Sequence, residues 1–192
     1  MINIVIGITK IQGGPLMTRK IVVSLAMSLD GYIASEDHGY DWITENSGAE
    51  GNFPNESAFD FQGFFDSMDT IVMGKNCYDL GMHEEFKKQK VYVATHKAKE
   101  DHDNVKFISG DITKIILEER EKEGKNIFLF GGGRVIDSFL KADIIDEYVI
   151  GIVPIILGRG IPLFYKDNPT IRLKLVENIT DKGTVILRYV RR

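Results

Sequence analysis

Three short segments carry residue types suited to holding phosphate groups. Ile127 to Phe130 is an unbroken apolar run, Gly131-Gly132-Gly133-Arg134 follows, and apolar residues then recur at 135, 136, 139 and 140. This order predicts a buried strand, a glycine turn and an amphipathic helix. A turn without side chains lets a ligand press against the backbone. A helix N-terminus adds unpaired N–H groups and positive dipole. A dinucleotide pyrophosphate suits such a junction, although a tight structural turn has the same composition. The run is neither of the two common phosphate loops. Ile136 stands at the third glycine position of the Rossmann fingerprint, and no acidic residue ends a second strand about 20 residues later. No Gly-Lys-Ser/Thr follows, which excludes a P-loop.

The segment Thr70-Ile71-Val72-Met73-Gly74-Lys75-Asn76-Cys77-Tyr78 repeats the strand-glycine-helix order with a lysine at the turn. A cation beside a helix N-terminus suits a phosphate. The next strand, Val91 to Ala94, ends in Thr95-His96-Lys97, which groups a hydroxyl, an imidazole and an ammonium. Ligands collect beyond the carboxyl ends of strands in open α/β sheets. Three such ends together could hold a phosphorylated dinucleotide, with Lys75 or Lys97 near a ribose phosphate. Each lysine alone reads as a solvated side chain, and it is the recurrence across three strand ends that points to a ligand.

Carboxylates are the candidates for proton transfer. Asp30 follows a strand and precedes Gly31, a context that is either a turn or an active-site position. Asp41 stands beside Trp42, a side chain large enough to pin a loop. Asp30, Asp41 and Trp42 are therefore the candidate catalytic residues. Glu56 and Asp60, four apart, are expected on one face of one helix, where both could reach a substrate. The alternative is a first-turn charge and a solvated residue. Arg159, in Leu157-Gly158-Arg159-Gly160, could meet an anionic substrate or lie in solvent. Cys77 begins a helix but reads as a small turn residue rather than a reactive thiol. His83 and His102 fall in polar stretches and read as surface residues.

These residues need a scaffold, and the pattern supplies one. Predicted strands are Lys20–Leu25, Thr70–Met73, Val91–Ala94, Val105–Ile108, Ile127–Phe130, Glu147–Val153, Ile171–Asn178 and Thr184–Val190. The last two are joined by a hairpin at Thr180-Asp181-Lys182-Gly183. Predicted helices are Glu56–Asp66, Cys77–Leu80, Thr113–Lys122 and Val135–Lys141, with Asp111 capping the third. Alternation followed by two terminal strands predicts a mostly parallel sheet with an antiparallel C-terminal edge. Residues 27–54 read as one long functional loop.

At 192 residues, 43% hydrophobic and 27% charged, the chain has the composition of a globular protein with one full-sized core. A net charge of −4 gives no global basic bias toward nucleic acid or membrane. Cys77 is the only cysteine, which excludes an intrachain disulfide or a cysteine zinc cluster and fits a cytoplasmic protein. The histidines show no metal-ligand spacing, so no metal is expected, and the longest apolar runs are too short to span a bilayer. Ile2 to Ile11 is strand-like but lacks the basic start and cleavage site of a signal peptide. Met17-Thr18-Arg19-Lys20 resembles a second beginning. Residues 1–16 read as an extension or an extra edge strand, and 17–192 as a single domain.

The motifs also carry a family resemblance. Phe130 to Leu140 resembles the nicotinamide-dinucleotide segment of dihydrofolate reductases. Ile71-Val72-Met73-Gly74-Lys75 resembles their second strand and phosphate-binding turn. Ser24 to Ala34 and Val153 to Phe164 resemble the reductase domain of bifunctional riboflavin-biosynthesis deaminase-reductases. The resemblance covers about Arg19 to Val190. It implies an eight-stranded dihydrofolate-reductase-like sheet flanked by helices, NADPH as hydride donor, and a homodimer. Ala26, Ile33 and Ala34 would flank the nicotinamide. Gly74, Lys75, Asn76 and Cys77 would meet the pyrophosphate and 2′-phosphate. Thr95, His96 and Lys97 would line the adenosine end, and Gly131, Gly132, Gly133, Arg134 and Val135 would cover the pyrophosphate. The chain departs from both patterns. Ala58 stands where folate reductases place a carboxylate, and Phe130 stands where riboflavin-type reductases carry a glutamate. The expected activity is reduction of a small heterocyclic or ribosylaminopyrimidine-like substrate. The alternatives are dihydrofolate reduction and dinucleotide binding without turnover.

Overall fold

The computed structural model describes residues 19–45, 56–97 and 99–192. The N-terminal segment 1–16 and residues 46–55 of the expected long loop lie outside the described residues.

The chain runs β1 (Ile21–Ser28), β2 (Tyr32–Ala34), α1 (Trp42–Glu45), α2 (Phe61–Asp66), β3 (Met68–Gly74) and α3 (Lys75–Asp79). A 3-10 helix (Met82–Phe86), β4 (Lys90–Ala94), β5 (Val105–Ile108), α4 (Ile112–Arg120), β6 (Asn126–Gly131) and α5 (Gly133–Lys141) follow. The chain closes with β7 (Glu147–Val153), β8 (Ile161–Pro162), β9 (Leu173–Asp181) and β10 (Thr184–Arg191). All eight strands expected from the sequence join one sheet, in the order β5-β4-β3-β6-β1-β7-β10-β9. Only β10 opposes its neighbours, which gives the antiparallel C-terminal edge.

Central strands of β-branched and apolar residues are buried on both faces, as parallel sheets require. Along β1, Ile21 and Val23 pack with α4 and α5, while Val22 packs with the opposite layer. That opposite layer includes Phe64 and Phe65 of α2 and Cys77 and Tyr78 of α3. The apolar positions expected on α5, Val135, Ile136, Phe139 and Leu140, form its buried face. The hairpin forms where expected. Lys182 and Gly183 both have positive φ, 48° and 83°, the mark of a two-residue type I′ turn.

Three expectations change. The helix predicted from Glu56 begins only at Phe61, because the Asp60 side chain caps it by accepting from Gly63 N at 2.8 Å. Glu56 instead lies in an isolated bridge to Thr180 of β9, so the two carboxylates share no helix face. The helix predicted from Cys77 begins earlier, at Lys75. The loop predicted from Met27 contains β2 and α1, and β2 pairs with β8 in a small second sheet.

Candidate active site

The sheet order places the carboxyl ends of β4, β3 and β6 side by side. The three phosphate-type segments, scattered over 61 residues from Gly74 to Arg134, thereby become one row. α3 and α5 leave this row on opposite faces of the sheet. Neither helix has a side-chain hydrogen bond at its N-cap, Gly74 or Gly132.

The two turns meet main chain to main chain. A Cβ on Gly132 would lie 3.6 Å from Gly74 Cα, and a Cβ on Gly74 would lie 3.3 Å from Val135 Cγ2. Gly132 also has φ 80° and ψ 118°, a conformation closed to ordinary L-residues. Gly133 has a different reason to be glycine. A Cβ there would lie 2.9 Å from the Tyr165 hydroxyl oxygen, so the missing side chain makes room for a phenol ring. Tyr165 was not singled out in the sequence, where an aromatic after Phe164 carries no signal of its own.

Beside this row the sheet splits. The ladder between β1 and β6 ends at Val23 and Leu129. Beyond it β1 stays paired with β7 as far as Ser28, while β6 follows β3 as far as Gly131. Strands that part at their carboxyl ends leave a crevice, the usual ligand position in an open α/β sheet. Ala26 stands on its β1 wall. There the neighbouring β7 position is Gly151, whose Cβ would lie 3.9 Å from Ala26 Cα. Ile33 packs against the core and Ala34 pairs with Ile161, placing both on the rim beyond β1.

The polar candidates differ in what they have left to offer. Lys75 pairs with Asp79 one turn along α3. Arg134 has no ion pair among the described residues and is exposed, as are Asn76, His96 and Lys97. Thr95 is buried, and its hydroxyl accepts from Lys97 N at 3.2 Å, so it builds the turn that displays His96 and Lys97. Burial pushes the Cys77 thiol up from its ordinary range, which fits a packing residue rather than a nucleophile. His83 stacks on Tyr78 at 4.2 Å, and His102 lies 3.0 Å from the Tyr78 hydroxyl, so both belong to a side-chain cluster.

At the reacting end, Trp42 is buried and starts α1, whereas Asp41 is exposed. Asp30 ties two loops together. Its carboxylate accepts from Ser28 Oγ at 2.6 Å, Leu157 N at 3.1 Å and Gly158 N at 2.7 Å. The Ser28 hydroxyl first, and then the two amides, hold its carboxyl below the usual range. A carboxylate kept ionised in this way anchors a loop and has no proton to give near neutral pH. Asp30→Asn should release the loop after β7 and speed tryptic cleavage after Arg159 several-fold. Mass-resolved limited proteolysis would show this, and an unchanged cleavage rate would remove the anchoring role.

The comparisons with known proteins fit this geometry. The model of the RibD C-terminal domain family matches residues 79–187, more than half of the chain. The chain belongs to this family. The uncharacterized protein YwjB of Bacillus subtilis is 32% identical over 180 residues, covering 91% of this chain and 99% of its own. A Shewanella sp. PV-4 structure named for riboflavin biosynthesis superposes with TM-score 0.75 at 29% identity, covering 90% of this chain and 99% of that one. Dihydrofolate reductase from Enterococcus faecalis, complexed with NADP(H), shares the fold at TM-score 0.63 and 15% identity, over 90% of this chain and 96% of its own. The fold is thus dihydrofolate-reductase-like, and RibD-type membership supports a pyrimidine-reductase-like activity. The family match starts at Asp79, so the β1–β2 rim of the crevice lies outside it. No helix among the described residues is long and apolar enough to cross a membrane.

Proposed function

We propose that the protein is an NADPH-dependent reductase acting on a small conjugated heterocycle. The observation that carries this reading is the crevice between β1 and β6, bordered by turns that meet without side chains. A cradle that a Cβ would fill is what close backbone approach to a diphosphate needs. In this reading Gly131, Gly132 and the first N–H groups of α5 hold the diphosphate, and Val135 packs beneath the turn. Lys75, Asn76, His96, Lys97 and Arg134 face the phosphate charge, Thr95 shapes their turn, and Ala26, Ile33 and Ala34 flank the nicotinamide. Bound NADPH supplies a hydride to the carbon of a C=N or C=O group, while the nitrogen or oxygen takes a proton. The chain's own work is orientation and exclusion of water. With Asp30 ionised and engaged, the proton comes from water in the crevice mouth. We read the protein as a homodimer, since exposed Leu29, Ile156 and Phe164 sit on adjacent loops. A single cysteine fits a reducing cytoplasm as its place of work.

The test is a titration with NADPH and separately NADH, read by energy transfer from Trp42, the only tryptophan. NADPH should saturate at micromolar concentration. NADH, lacking the 2′-phosphate, should bind at least tenfold more weakly, the size of one lost charge-assisted contact at ~1.5–3 kcal/mol. Saturation by neither would return the glycine turn to a purely structural role. Saturation without turnover of any heterocycle would leave a dinucleotide-binding protein.

A further inference from the structure

Tyr165 belongs to both walls of the crevice. Its segment starts on the β1 side, where Ile161 of β8 pairs with Ala34 and Leu163 N donates to Gly31 O at 2.9 Å. Leu163 is buried in the core, and Phe164 is exposed. Tyr165 is half-buried and reaches Gly133, the first residue of α5, which leads directly off β6. A Cβ on Gly133 would lie 2.9 Å from Tyr165 Oη, 3.1 Å from Cε2 and 3.4 Å from Cζ. The phenol therefore comes from the rim that flanks the nicotinamide in the reductase reading. It ends on the turn that holds the diphosphate.

The donors around that hydroxyl have nothing to bind. Gly132 O accepts from Val135 N at 2.8 Å and from Ile136 N at 3.1 Å. The Gly133 and Arg134 amides ahead of them have no acceptor among the described residues, as the first turn of a helix leaves them. A Cα–Cβ bond on a helix tilts toward the N-terminus. A hydroxyl touching the Cβ position of Gly133 thus lies at the end where those amides are free. The Tyr165 main chain is tied down, its carbonyl accepting from Asn168 Nδ2 at 3.0 Å. Its hydroxyl has no hydrogen-bond partner among the described residues. A phenol oxygen can accept as well as donate, yet neither amide uses it. Covering a buried glycine needs only the ring, and phenylalanine would do that equally. The hydroxyl is the part that packing leaves unexplained, and an anionic oxygen is the acceptor that such donors suit.

We infer that the Tyr165 hydroxyl donates to the phosphate on the nicotinamide side of the bound dinucleotide, beside the Gly133 and Arg134 amides. The inference rests on the reductase reading of the crevice and adds a binding residue from outside the glycine run. The path of the chain chooses between the two phosphates. Tyr165 arrives from the rim of Gly31 and Ala34, whereas Lys75, His96 and Lys97 stand at the ends of β3 and β4.

The experiment is a calorimetric titration of the full-length parent and of Tyr165→Phe with three probes. NADPH is the first. The second is 2′-phospho-ADP-ribose, which keeps both bridging phosphates and lacks the nicotinamide. The third is adenosine 2′,5′-bisphosphate, which lacks the nicotinamide-side phosphate. The variant should bind the first two about fivefold more weakly, the size of one hydrogen bond. It should bind the third as the parent does, and its melting temperature without ligand should be unchanged because the ring remains. Unchanged affinity for all three probes overturns the inference. Equal loss for all three also overturns it, since the hydroxyl would then be a brace for the fold of the site. A loss confined to NADPH overturns the phosphate assignment and moves the contact to the nicotinamide. Failure of the parent to bind NADPH is a separate result that removes the reductase reading and the inference with it.

Discussion

Glu119→Gln is expected to lower the unfolding free energy by about 3–5 kcal/mol, the cost of breaking a buried ion pair from one side. Glu119 sits on α4 at the end of the sheet away from the crevice, with a side chain only 3% exposed. It accepts from Lys90 Nζ at 2.6 Å, Tyr92 Oη at 2.8 Å and Lys122 Nζ at 2.6 Å. Arg19 Nη1 lies 3.7 Å from Glu119 Oε1. That guanidinium, also 3% exposed, binds Asp69, Thr70 and the carbonyls of Glu119 and Lys125. Glutamine keeps the shape but turns one acceptor into a donor that faces donors, and leaves Arg19 buried beside less negative charge. Urea unfolding should show a lower midpoint with an unchanged slope. Lys122→Met removes only a partner that is 62% exposed, and should cost under ~1 kcal/mol. A loss below ~1 kcal/mol for Glu119→Gln would mean that the network is not a stabilising pin.

The same carboxylate sets an acid limit. Burial pushes it up, but hydrogen bonds from Lys122, Lys90 and Tyr92 outweigh that and hold it at about 2, against an ordinary value of 4.5. A folded value below the unfolded one gives stability that is fully present above pH 4.5 and is lost as pH falls toward 2. The loss amounts to roughly 3 kcal/mol. The Glu119→Gln variant should therefore have a flatter acid limb than the parent.

The sheet was legible because its strands announce themselves locally. Ile71-Val72, Val91-Tyr92-Val93 and Val149-Ile150 are buried on both faces, and continuous apolar runs report that without reference to partners. The α5 face and the Lys182-Gly183 turn are equally local. What escaped depends on distant pairing. β8 is two residues long and contains Pro162, so only its contact with β2 makes it a strand. The start of α2 turned on whether Asp60 capped or continued the helix, and the hydrogen bond to Gly63 settles it. The three phosphate-type segments were visible one by one, but the split between β1 and β6 has no sequence signal. It arises because the β1–β6 ladder stops at Val23 and Leu129 while each strand keeps its other neighbour. Asp30 was visible as a turn residue, whereas its hold on Leu157 and Gly158, more than a hundred positions away, was not.

Gly132→Val and Gly133→Ala together separate a ligand cradle from mere tight packing. Valine at 132 must adopt φ near 80°, which costs a β-branched residue about 1–3 kcal/mol. Its methyls would also enter the gap where Gly132 faces Gly74 Cα at 3.6 Å from the Cβ position. Both effects fall on the turn that a diphosphate would touch. NADPH affinity should fall about 100-fold, or ~2.7 kcal/mol, with a modest drop in melting temperature. Gly133 carries no positive φ, and its Cβ would meet the far end of the Tyr165 side chain, which can swing away. Gly133→Ala should therefore lower stability by about 1 kcal/mol and leave NADPH affinity within a few-fold of the parent. Fluorescence titration and thermal unfolding on both variants read the two effects separately. Equal losses of affinity would mean that the whole glycine run contacts the cofactor and that Tyr165 is not the reason for Gly133. Unchanged affinity in Gly132→Val would place the dinucleotide elsewhere, because at φ 80° the valine methyls would stand in the gap between the two turns that the diphosphate reading needs open.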